Sequence, residues 1–109
     1  MVTAEFAVML MAFVIVLAMT LFAAAVAVSH VRTQEAARLG ARAAARGDSA
    51  RVVRETAVRA APGATVRVDR SGSDVSVQVS MPVRLPLAGL TIGPMMVSSQ
   101  SVAEQEPGS

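Results

Sequence analysis

From residue 6 to residue 28 the chain carries no charge, and Thr20 is the only polar side chain in the run. These 23 residues make a helix of roughly 35 Å at about 1.5 Å each, enough to cross a hydrocarbon core of about 30 Å with some tilt. Twelve of them are Leu, Ile, Phe or Val, each favouring insertion by roughly 0.3–0.6 kcal/mol. The pattern then turns polar at Ser29-His30 without a Pro or Gly to stop the helix. Ala36, Ala37, Ala41, Ala43, Ala44 and Ala45 continue it with the highest helix propensity, and Arg38, Arg42 and Arg46 recur every four residues as one polar stripe. A single helix ending near Arg46 and roughly 65 Å long is expected, with Gly40 as a tolerated weak point and Gly47 as its C-terminal cap.

Asp48 or Ser49 can N-cap a second helix over residues 49–61. Val52, Val53, Thr56, Ala57 and Ala60 share one of its faces, and Pro62-Gly63 ends it. The period then falls to two. Val66 and Val68 alternate with Thr65, Arg67 and Asp69, while Val75, Val77, Val79 and Met81 alternate with Ser76, Gln78 and Ser80. Turn chemistry at residues 70–74 joins the two runs into a hairpin with one buried face. Residues 82–94 hold three prolines, two glycines and Leu85, Leu87, Leu90 and Ile92, which reads as an extended arm or an edge segment. A third strand is expected over residues 95–103 and a disordered tail over 104–109.

The expected class is therefore α+β: a long N-terminal hydrophobic helix, a short second helix, then an antiparallel hairpin or three-stranded sheet. As domains, residues 1–46 form the long helix, with 6–28 as its membrane or filament-core part. Residues 47–103 form a small head, with strands at about 64–70, 75–83 and 95–103.

Composition limits what that head can be. The chain has 109 residues, so about 80 lie outside the apolar segment, enough for one small module. There is no Cys, Trp or Tyr, and Phe6, Phe13 and Phe22 all lie in the first helix. Val, Leu, Ile, Met and Ala must make the core. Neither disulfides nor thiolate metal sites are possible, and a head this small is expected to gain stability from neighbours. A secretory signal would need a basic lead-in and a shorter apolar stretch. Here the lead-in carries Glu5, so an uncleaved membrane helix is expected despite the cleavage-like Ala23-Ala24-Ala25.

All ten basic residues are Arg, against eight acids, and seven of them lie between Arg32 and Arg59. Such a stretch can contact anionic lipid or nucleic acid. The alternative is a solvated helix face. Glu35–Arg38, Asp48–Arg51 and Glu55–Arg59 have helix-neighbour spacing and would partly neutralise it. Without interleaved aromatics, nucleic acid is not an expected partner.

The sequence offers little for catalysis. His30 is the sole histidine, and Ser29 beside it on a helix does not face it. With no Cys and no second His, transition-metal ligands are too few. Asp69 and Asp74 flank the hairpin turn as solvated acids. No enzymatic activity, cofactor or metal is expected.

Small residues on the long helix suggest packing instead. Ala23 and Ala27 are spaced four apart, as are Ala36, Gly40 and Ala44, giving two narrow surfaces for other helices. An ordinary Ala-rich helix would carry the same spacing. Glu5 sits where the helix dipole favours an acid by roughly 0.3–1 kcal/mol. It could simply head a membrane anchor, or it could pair with the free α-amino group of a neighbouring copy. At about 4 Å and an effective dielectric near 20, such a pair attracts by around 4 kcal/mol before desolvation.

The opening Met1-Val2-Thr3-Ala4-Glu5-Phe6-Ala7-Val8 resembles the mature N-terminus of bacterial type IV pilin-like proteins. Its TAEFA string resembles the TadE-like pilins of tight-adherence pili. The resemblance implies that a prepilin peptidase removes a basic leader and exposes Met1, whose amine is often methylated in that family. It implies that Met1 and Glu5 dock one subunit on the next. The chain starts either at the processed residue or at an initiator Met.

The implied protein is a structural pilin, held in the cytoplasmic membrane as a single-pass protein. With its assembly machinery it then polymerises into an extracellular helical homo-oligomer, of the kind used in cell adhesion. Arg32 and its successors would by charge alone hold the C-terminal side in the cytoplasm. Pilins place it outside, and the leader's positive charge would oppose the rule before cleavage. The alternatives are a non-polymerising minor pseudopilin, a bitopic adaptor of an envelope complex, or a basic membrane-surface module acting through Arg38, Arg42 and Arg46.

Overall fold

A computed structural model describes residues 2–87 and 89–104 of the chain. The order of elements is α1 (Val2–Ala45), α2 (Ala50–Ala60), β1 (Thr65–Ser71), β2 (Asp74–Leu87) and β3 (Leu90–Glu104), the α+β layout expected. The molecule measures 77 × 20 × 18 Å, with α1 running along most of its length.

Gly47 ends α1 at φ +86°, a conformation that favours a residue without Cβ. Its N–H donates to the Ala44 carbonyl (3.0 Å) and the Asp48 N–H to the Ala43 carbonyl (3.1 Å), the paired bonds of a Schellman cap. The chain reverses within a few residues, and Ser49 caps α2 by accepting from the Val52 N–H at 3.3 Å. Val53 and Ala57 point inward from α2, and Val52 stays largely exposed.

The sheet is an antiparallel meander in the order β1-β2-β3. Gly72-Ser73 forms the two-residue loop between Ser71 and Asp74, with Gly72 at φ +62°. Val66 pairs with Val79 and Val68 with Val77, which sets the expected valine face against the helices. Val75, Val77 and Val79 are completely buried there.

Residues 82–94, expected as an extended arm or an edge segment, are the far end of one long hairpin, at the edge where β1 no longer pairs with β2. Leu85 pairs with Ile92, Pro86 with Thr91 and Leu87 with Leu90. Prolines are tolerated because β1 stops opposite Ser80, so beyond that point β2 has lost a neighbour and needs fewer donors. The register slips between Val83 and Leu85, leaving Arg84 opposite Gly93 and Pro94. A Cβ on Gly93 (φ +101°) would fall 2.7 Å from the Val83 carbonyl oxygen, so the slip depends on glycine there. Glu104, expected in the tail, pairs with Asp74 at the end of β3. Residues 105–109 lie outside the described part.

The core also crosses the boundary drawn at residue 46. Thr33, Ala36, Ala37, Gly40, Ala41, Ala43 and Ala44 are buried against α2 and the sheet. Thr33 is the buried polar member, and its hydroxyl is satisfied. It donates to the His30 carbonyl at 2.9 Å, so in the 2.9 Å contact with Ser99 Oγ the serine must donate. This bond fastens β3 to α1.

Candidate docking acid and helix surfaces

Glu5 lies in the first turn of α1, fully in the open, where unpaired helix N–H groups favour negative charge. It forms a shallow recess with Ala4, Val8 and Met9, and it makes no ion pair with any described residue. Met1, its expected docking partner, lies outside the described residues. What the chain presents at this end is an accessible carboxylate on an apolar rod, able to accept a cation brought by another molecule.

Along that rod Phe6, Met9, Leu10, Phe13, Ile15, Leu17 and Leu21 are all exposed. The helix is long and apolar enough to span a membrane. Among the described residues of this half, Ala18 alone is buried, at 6 % exposure.

The two small-residue surfaces part company. Ala23 and Ala27 are exposed, although Ala23 also borders a recess that α1 shares with Ile92 and Met95 of β3. Ala36, Gly40 and Ala44 are not: the chain's own α2 and sheet already fill that groove. A Cβ at Gly40 would meet Val77 Cγ1 at 2.9 Å, with Val53 and Ala57 at 3.5 and 3.6 Å. The second groove is therefore an intrachain joint in this structure rather than an open surface for a neighbouring helix. Small residues at four-residue spacing signal close approach without saying to what, and an amphipathic valine hairpin downstream was the available hint.

Arg38, Arg42 and Arg46 form an exposed stripe, as the spacing required. Arg38 pairs with Glu35 at 3.8 Å, as expected. The other two expected pairs are exchanged. Asp48 pairs with Arg46 (3.3 Å) rather than Arg51, and Glu55 with Arg51 (3.2 Å) rather than Arg59. The reason is local. Asp48 sits in the corner between helices, near the end of α1, while Arg51 one turn along α2 reaches Glu55 by the i,i+4 spacing. Arg70 Nη2 also donates to the Asp48 carbonyl at 3.0 Å, tying β1 to this corner. Two of the three stripe arginines thus have acidic partners, which supports a solvated face over a concentrated basic patch.

Among the described residues no three His, Cys, Asp or Glu side chains gather as a metal site would require. Compared with known proteins, the chain matches no family model, no curated protein and no solved structure.

Proposed function

We propose that the chain is a structural filament subunit of the pilin type, without catalytic function or cofactor. It waits in a membrane through residues 6–28 and assembles with copies of itself through the same surface. The observation carrying this reading is the contrast along α1. Its C-terminal half is locked into the α2 and sheet module, while its N-terminal half stays largely exposed, bordered along one side by the hairpin end, and is headed by an exposed acid. A plain anchor needs the rod but not Glu5 in that position. In an assembled filament the rods would bundle in the core, with the sheet modules outside. Glu5 would accept the amine of a neighbouring chain, and Ala23 and Ala27 would allow close helix approach.

The test is Glu5→Ala in cells that carry the assembly machinery. A large loss of chain from sheared filaments, with the membrane level unchanged, is expected. Equal recovery of variant and parent from filaments would remove Glu5 from docking. Mass spectrometry of filament material is expected to find a chain starting at Met1 with a methylated amine; an intact basic leader would contradict the processing step.

A further inference from the structure

The hairpin end formed by residues 82–87 and 90–96 lies beside the apolar half of α1, not above it. β3 runs alongside α1, joined to it where Ser99 meets Thr33. Leu90 is nine residues before Ser99, roughly 30 Å of strand, which equals about 20 residues of helix. That places it well inside the 6–28 span. The contacts agree: Ile92 and Met95 line one recess with Met19, Phe22, Ala23 and Val26.

Both segments change character at the same height. On α1 the switch falls at Val28 to Ser29, some five residues below Thr33. On β3 it falls at Val97 to Ser98, directly below Ser99, with Ser99, Gln100 and Ser101 above. On β2, Ser76, Gln78 and Ser80 stand above it on one face, alternating with the buried Val75, Val77 and Val79. Below the switch, from Met81 to Met96, Arg84 and Thr91 are the only side chains that are not apolar. Leu90 is 74 % exposed and Met96 61 %. Among the described residues, nothing covers the outer apolar side chains Leu90, Met95 and Met96.

We propose that this hairpin end is seated in the lipid bilayer, in the leaflet on the side of the sheet, as a second membrane-contacting element beside α1. The proposal rests on the reading that residues 6–28 span a membrane. A bare strand edge in hydrocarbon carries a heavy cost for each unpaired N–H and C=O; Pro82, Pro86 and Pro94 remove three of the donors, while the carbonyls of that edge still need water, headgroup or protein partners. Arg84, exposed and close below the polar boundary, can extend its stem upward and bring its guanidinium to headgroup phosphates. One side of α1 is thereby shielded by protein through the upper part of the span, and the helix is held at a fixed rotation in the membrane.

Because the chain has no Trp or Tyr, single tryptophans report on their own sites. The full chain is reconstituted in phosphatidylcholine vesicles with brominated acyl chains and then titrated with aqueous acrylamide. Phe13→Trp serves as the span reference and Val102→Trp as the water reference. Leu90→Trp and Thr91→Trp are two independent probes of the hairpin end, each checked for native circular dichroism. Blue-shifted emission and loss of intensity to bromolipid comparable to Phe13→Trp are expected at both. Acrylamide quenching like that of Val102→Trp would overturn the proposal. Blue-shifted emission resistant to both quenchers would also overturn it, in favour of burial against a second copy. If Phe13→Trp itself escapes bromolipid, the membrane span fails as well. If Phe13→Trp is quenched and the two probes are not, only the hairpin proposal fails.

Discussion

The two halves of α1 are one continuous helix with opposite side-chain economies. In the N-terminal half, Phe, Leu, Ile, Met and Val point to all sides and most remain exposed, with Phe22 and Val26 half-buried toward the hairpin end. In the C-terminal half the inward positions are Thr33, Ala36, Ala37, Gly40 and Ala44, and a sheet and a helix press close upon them. Large apolar residues on every side suit a solvent of lipid tails or of neighbouring rods, where no single face is favoured. Small residues along one stripe suit a single fixed partner. Side-chain size, more than hydrophobicity, separates the part of the helix that belongs to the fold from the part left for other molecules.

Substituting the same residue into each half tests that separation most severely. Gly40→Leu must displace Val77, Val53 and Ala57 together, and a loss of about 3 kcal/mol or more in the stability of the sheet module is expected. Ala27→Leu, on the exposed half, is expected to leave that stability within about 0.5 kcal/mol of the parent. Urea unfolding in detergent micelles, followed by far-ultraviolet circular dichroism, compares them. Similar losses in both would erase the distinction.

Val77→Ala removes two methyl groups from a fully buried site facing Gly40, and a loss of about 2 kcal/mol is expected in the same measurement. Gly93→Ala acts at the hairpin end instead. It forces a Cβ against the Val83 carbonyl at a strained φ, costing about 1–3 kcal/mol locally. Hydrogen exchange should quicken around residues 83–95 while Val75, Val77 and Val79 stay protected. Ser49→Ala removes the α2 cap, with an expected loss of about 1 kcal/mol. Arg51→Ala, breaking an open pair with Glu55, is expected to change stability by less than about 0.5 kcal/mol.

The local pattern carried most of the fold. The caps at Gly47 and Ser49, the turn at Gly72-Ser73 and the alternation of Val75, Val77 and Val79 all stand where periodicity and turn chemistry put them. Two things were not legible. The hairpin end was hidden because Pro82, Pro86 and Pro94 argue against a central strand, and only the sheet shows that β1 has already stopped there. The partner of Gly40 was hidden because spacing on a helix states how near a neighbour can come, not which one arrives. Of the candidate site, the exposure of Glu5 and of the Arg38, Arg42 and Arg46 stripe followed from helix geometry. Asp48 turned to Arg46 because of a corner that spacing alone does not draw, and Arg51, thereby left free, took Glu55 at i,i+4 spacing.

On the proposed function, the exposed half of α1 serves lipid first and neighbouring subunits afterwards. The direct measurement is recovery of the chain from cells carrying the assembly machinery, after shearing and separation of filaments from membranes. The chain is expected in both fractions, with the filament fraction lost in Glu5→Ala and the membrane fraction kept. Recovery from membranes alone, while filaments of other subunits are being made, would contradict it.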